Sequence, residues 1–117
     1  VWSESGKKRH NIHPVQHAIN AQNLGAGEVL VNAIKEDGTF SGYNHDLCQM
    51  VARAVSVPVI ACGGAGKIED CANVIKDSGV SAAAAGSIFV FQGPHRAVLI
   101  KFPDETTLKR LFPQSKT

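Results

Sequence analysis

Apolar positions along the chain alternate between two rhythms. Short runs of apolar or small residues, Glu28 to Ile34, Val57 to Ala61 and Ser81 to Gly86, have the length and flanking glycines of strands. Between them, apolar residues recur at helical spacing. Pro14 suits the first turn of a helix running to about Leu24, with Val15, Ala18, Ile19 and Ala21 or Gln22 in register, and Gly25 and Gly27 punctuate its end. Asn44 is the expected N-cap of a second helix that sets Leu47, Met50, Val51 and Val55 along one face. A third helix is expected from Ile68 to Lys76, stopping near Gly79, and Ser87 opens a short helical turn.

Val57 to Ala61 is nearly all apolar, as a parallel strand covered on both faces should be. Strands alternating with helices of about ten residues imply right-handed βαβ units and a parallel sheet. The two ends depart from this rhythm. Val1 to Asn11 is polar and mixed, predicting a short edge strand and a loop around Ser5-Gly6-Lys7-Lys8. In the tail, Ala97 to Phe102 has strand character, and Asp104 can cap a last helix holding Leu108, Leu111 and Phe112.

Glycine loops at the ends of the strands carry the clearest chemistry. Asp37-Gly38-Thr39 precedes Ser41-Gly42-Tyr43, and Cys62-Gly63-Gly64-Ala65-Gly66-Lys67 follows the next strand. With Ser5-Gly6-Lys7-Lys8 and Gly25-Ala26-Gly27-Glu28, these motifs make the chain from Val1 to about Phe91 resemble the second half of the cyclase subunit of imidazole glycerol phosphate synthase. The fold class expected is therefore α/β: a (β/α) half-barrel with parallel strands, the C-terminal half of a TIM barrel. Residues 1–117 are expected to form one such domain, with a divergent tail strand and helix at about 94–117.

A complete eight-stranded barrel takes about 250 residues, and a chain of 117 cannot close one alone. Three or four barrel strands leave open edges and an uncovered inner face, which invite association. Self-pairing in twofold symmetry is the expected solution, because two copies supply the missing half. At 44% hydrophobic and 19% charged the chain has apolar material for a core but not for a membrane span, and a net charge of +2 with no Lys/Arg run interleaved with aromatics is too mild to argue for nucleic acid. Three cysteines, Cys48, Cys62 and Cys71, cannot all pair within the chain, and no signal-peptide pattern precedes them, so a reducing cytoplasm is the expected compartment.

In barrels a phosphate is often held by the loops after strands seven and eight. By the family's count, Gly63 and Gly64 follow the seventh strand, and Gly86 and Ser87 the eighth. Small residues let the main chain approach phosphate oxygens, N–H groups donate to them, and Ser87 adds a hydroxyl. The competing account is that these glycines only make tight turns. Lys67 adds a charge to the anion or is a solvated helix-start residue.

The resemblance places Asp37, with Gly38 beside it, near the substrate, where a carboxylate can orient a hydroxyl or amine or act as a base; an Asp-Gly turn needs no such role. Asn32 stands where the cyclase usually has Thr or Ser, implying an altered polar contact to substrate. Glu28 matches the charged ring that guards the cyclase's ammonia channel, and as a surface glutamate needs no role at all. Thr39, Ser41 and Tyr43 read as loop architecture. The family's two catalytic aspartates, at the ends of its first and fifth strands, would both precede Val1, so unaided cyclisation is not expected.

The run from Gln92 to Ile100 departs from the histidine-pathway enzyme and resembles the related branch associated with sugar amidation in surface-polysaccharide synthesis. Two functions follow. One is the phosphate-binding half of a cyclase-like lyase for ammonia-dependent cyclisation or sugar amidation, served by a glutaminase subunit. The other is a non-catalytic, self-assembling half-barrel that binds a phosphorylated metabolite. His10, His13 and His17 include a spacing of four that suits zinc but lack a completing ligand set, and no metal or other cofactor is expected. Walker A, G-x-S-x-G and GxGxxG patterns are absent from the sequence.

Overall fold

The computed structural model describes residues 1–113. It begins with an antiparallel hairpin of Trp2–Ser3 (β1) and Lys8–Arg9 (β2), closed through the loop at Glu4 to Lys7. Helix α1 (Pro14–Asn23) follows, with proline in its first turn and the His13 ring as its cap, Nδ1 accepting from the Val15 N–H at 3.2 Å. The centre is a parallel sheet in the order β3 (Val29–Asn32), β4 (Val59–Cys62), β5 (Ala82–Ala84). Helix α2 (His45–Ala54) links the first two of these strands, and α3 (Ile68–Ser78) the last two. This is a partial (β/α) barrel.

Each helix starts and stops for a local reason. The Asn44 side chain accepts from the Leu47 N–H at 3.0 Å, capping α2 as its sequence predicts. Gly79 ends α3 in the left-handed conformation, at φ 72°. Helix α2 turns Leu47, Val51 and Val55 inward as expected, adds Cys48 to that face and leaves Met50 46% exposed.

Strand β4 begins at Val59 rather than Val57. The Ser56 and Val57 N–H groups both donate to the Gln22 side-chain carbonyl of α1, at 2.6 and 3.2 Å, which draws that segment away from the sheet. Pro58 has no N–H to give the ladder, though its carbonyl accepts from Val29 at 2.9 Å. Strand β3 stops at Asn32 because the Glu36 and Asp37 N–H groups turn back onto the Ala33 carbonyl.

The ladder aligns Leu30, Ile60 and Ala82 in one row and Asn32, Cys62 and Ala84 in another. Alternate residues point to opposite faces, so both rows share one side of the sheet. The other side carries Val29, Val31, Val59, Ala61 and Ala83 into a core with Val51, Val74 and Cys48 from the helices. The first side has no such cover, and Leu30 is 55% exposed on it. The radius of gyration, 15.2 Å, exceeds the roughly 13 Å of a compact chain of this length, consistent with one open face.

After β5 come a single helical turn, α4 (Ser87–Val90), and a second antiparallel hairpin of β6 (Phe91–Gln92) and β7 (Ala97–Val98). The expected tail strand from Ala97 to Phe102 pairs regularly only at its start. Beyond β7 the Leu99 and Lys101 N–H groups donate to the Val90 and Phe89 carbonyls, and Phe102 stacks on Phe89 with centroids 5.8 Å apart. The tail therefore folds back on its own chain. Helix α5 (Glu105–Leu111), capped by Asp104, ends the fold and packs Phe112 against the core. Residues 114–117 of the expected tail lie outside the described residues. No described helix is long and apolar enough to cross a membrane.

Candidate functional site

The carboxyl ends of β3, β4 and β5 converge on one small pocket of about 30 Å³. It is lined by Asp37 and Gly38 from the first strand end, Cys62, Gly63, Gly64 and Ala65 from the second, and Ala84, Ala85, Gly86 and Ser87 from the third. Six residues singled out by sequence thus share one wall. Ala84 and Ala85 are not legible as site residues in the sequence, because a methyl side chain carries no chemical signature beyond its smallness.

Two of the glycines are demanded by packing. The Gly42 N–H donates to the Gly64 carbonyl at 2.7 Å, which lays the loop after β3 directly on the loop after β4. A Cβ on Gly64 would overlap the Gly42 carbonyl oxygen, and Gly64 also sits at φ +110°. A Cβ on Gly63 would lie 2.6 Å from the Asn32 side-chain oxygen and 2.8 Å from the Ala33 carbonyl. Gly86 differs: its φ is −128° and nothing lies within 4 Å of a Cβ placed there. Neither crowding nor a left-handed backbone requires glycine at that position.

Backbone donors decide what the pocket can hold. Asp70 bends back so that one carboxylate oxygen accepts from both Gly66 and Lys67, at 2.8 and 3.2 Å, so those two N–H groups are satisfied internally. Lys67 is exposed at the start of α3. The N–H groups of Gly64, Ala65, Gly86 and Ser87 make no hydrogen bond to another described residue. Donors without acceptors around a cavity of this size suit an oxyanion. Ser87 also lines the pocket.

Asp37 is exposed in the turn that follows β3, at the edge of the pocket. The Cys62 thiol is pushed up from its ordinary pKa, first by burial and then by the Asp37 charge, so it lines the pocket as a neutral group. Tyr43 is buried, and its hydroxyl donates to the Ala84 carbonyl at 2.8 Å while lying 3.3 Å from the Cys71 sulfur. It fastens the loop after β3 to the end of β5.

The remaining candidates lie elsewhere. Asn32 faces the uncovered side of the sheet, where it borders an open concavity of about 1170 Å³ along β3. Glu28 lies just before β3 and borders the same concavity from the far end, about 13 Å from Asn32 at strand rise. Neither lines the small pocket. His10 shares a 2.6 Å hydrogen bond with Ser3, and His13 caps α1 from outside it, so the histidine spacing of four is not a pair on one helix. Among the described residues, no cluster of three or more His, Cys, Asp or Glu side chains is placed to hold a metal.

A family model described as histidine biosynthesis protein matches residues 1–95. The chain is 45% identical over 108 residues to a putative imidazole glycerol phosphate synthase subunit HisF2 of Pseudomonas aeruginosa, covering 92% of this chain and 43% of that protein. It is 36% identical over 113 residues to a putative HisF subunit of Leptospira borgpetersenii, covering 97% and 44%. Against the imidazole glycerol phosphate synthase subunit HisF of Hyphomonas neptunium it is 44% identical over 91 residues, covering 78% and 36%. The chain spans less than half the length of the curated relatives it matches.

Proposed function

The chain belongs to the histidine biosynthesis protein family, and on that premise we propose that it forms the phosphate-binding half of an imidazole glycerol phosphate synthase cyclase-like barrel. One observation carries this: three consecutive parallel strand ends surround a pocket lined by backbone N–H groups without acceptors and by the Ser87 hydroxyl. Gly64, Ala65, Gly86 and Ser87 would donate to the oxygens of a phosphate monoester, with Gly63 and Gly38 completing the wall. The ligand class is a phosphorylated small molecule. Binding there fixes one end of the substrate, and Asp37 at the pocket edge orients a hydroxyl or amine near it.

Acid–base chemistry needs more than this pocket supplies. Asp37 is the one carboxylate lining it among the described residues. A second acid–base group must come from the other half of a barrel, and general acid–base catalysis contributes about 10²- to 10⁴-fold per group. Ammonia-dependent cyclisation or sugar amidation is therefore a property of the completed barrel with a glutaminase subunit. Glu28, at the opposite end of β3, is suitably remote to guard ammonia entry from that partner.

We also infer the sugar-amidation branch, on the run from Gln92 to Ile100 that departs from the histidine-pathway pattern. A match over 108 or 113 of 117 residues must run beyond residue 95, where the family model ends, whereas the Hyphomonas match covers only 91 residues. The alignment to these two putative HisF subunits therefore extends through the β6–β7 hairpin. The alternative function, a self-assembling half-barrel that binds a phosphorylated metabolite without converting it, draws support from the uncovered face at Leu30.

Calorimetric titration of the full chain with inorganic phosphate tests the pocket. Saturable binding that is weakened at least tenfold by Gly86→Ala, with unchanged melting, is expected. Equal affinity in wild type and variant would remove the phosphate from this pocket.

A further inference from the structure

The loop after β3 is held from two sides. Gly64 and Gly66 press on it from below, since a Cβ on Gly66 would overlap the Phe40 carbonyl oxygen. From the other side comes Arg96, in the β6–β7 hairpin. Its Nη2 donates to the Gly38 carbonyl at 2.8 Å, 58 residues away in sequence, and its guanidinium lies 5.0 Å from the centre of the Phe40 ring.

Both partners adopt backbone conformations that non-glycine residues avoid. Phe40 has φ +59° and Arg96 φ +49°. Such conformations persist where surrounding contacts over-determine them, and here the two strained residues face each other. Gly38, the residue Arg96 grips, lines the pocket. The guanidinium forms no ion pair among the described residues, so its charge is not consumed elsewhere.

We infer that Arg96 is a positioning residue of the phosphate pocket, clamping Gly38 and Phe40 so that the loop after β3 forms its wall. Arginine suits this because its planar group stacks on the ring while a fork of N–H groups reaches the carbonyl; lysine offers neither geometry. The inference rests on the phosphate reading of that pocket.

The test uses the full chain and inorganic phosphate. Arg96→Lys and Arg96→Ala should each weaken binding about tenfold, because the loop that forms the wall must then be ordered on binding. Melting should be unchanged, because Arg96 is exposed. Phe40→Leu should weaken binding too, and combining it with Arg96→Ala should cost no more than Arg96→Ala alone. Hydrogen exchange at the Thr39 and Ser41 amides should speed up in both Arg96 variants. Wild-type affinity in Arg96→Ala would overturn the clamp and leave the pocket standing. Wild-type affinity in Arg96→Lys alone would reduce the residue to its charge and likewise overturn the clamp. A wild-type chain that binds no phosphate would overturn the pocket assignment and this inference together.

Discussion

The Tyr43 hydroxyl donates to the Ala84 carbonyl at 2.8 Å across 41 residues of sequence. This bond ties the loop after β3 to the end of β5, beside the candidate pocket. Because it is buried, Tyr43→Phe leaves the carbonyl without its partner, and a loss of about 1 kcal/mol is expected. A lower urea midpoint at unchanged slope would show it. An unchanged midpoint would mean that the bond has no net worth.

Alkaline pH should act on the same region. Burial raises Cys48, Cys62 and Cys71 above the ordinary thiol value of 9.0, and Tyr43 is raised by burial and by its contact with Cys71. In the unfolded chain these groups lose protons at their ordinary values, before the folded chain does. Their contribution is thus whole below pH 9 and falls as pH rises towards the folded values. The slope should approach about 1.4 kcal/mol per pH unit for each group titrating in the unfolded state alone. Urea midpoints between neutral pH and pH 10.5 or so measure it, and Cys71→Ala should flatten the decline.

Much of this architecture is legible in the sequence because its signals are local. Asn44 as a cap, Gly79 as a stop and Pro14 as a start each act within one turn of helix. The strand ends at Gly38, Gly63 and Gly86 are legible for the same reason, and they meet in one pocket. What escapes is set by distance along the chain. The Gln22 side chain removes Ser56 and Val57 from β4 across more than thirty residues, and no periodicity encodes that. Tyr43 on Ala84 and Arg96 on Gly38 are likewise invisible until the strands are side by side.

Gly64 and Gly86 should respond oppositely to alanine. At Gly64 a methyl meets the Gly42 backbone and φ +110° is unfavourable besides, so Gly64→Ala is expected to cost roughly 2 kcal/mol or more. Loss of ligand binding there would not distinguish a phosphate site from a distorted turn. At Gly86 the added methyl meets no atom, and stability should stay within about 0.5 kcal/mol. Thermal melts of the two variants check this, and a destabilised Gly86→Ala would return that glycine to an ordinary turn.

Ser78 offers a stabilising change. It is 2% exposed at the end of α3, and its Oγ has no hydrogen-bond partner among the described residues. A buried hydroxyl without a partner gives up its hydration for nothing, so Ser78→Ala should raise stability by about 1 kcal/mol. A urea midpoint at or below that of wild type would mean the hydroxyl finds a partner in solution.

The uncovered face makes a prediction about mass. Leu30, 55% exposed, shares one side of the sheet with Ile60 and Ala82, and β3 and β5 are edge strands among the described residues. Apolar rows and free ladder groups left in water favour pairing, and a second copy brings a matching face with its own Asp37. Size exclusion with light scattering should therefore find the full chain as a dimer or larger assembly. Leu30→Lys should shift it towards monomer, because twofold contact would bury like charges together. A wild-type monomer with cooperative melting would show that the face tolerates water, and would assign its covering to the other half of a barrel instead of a second copy.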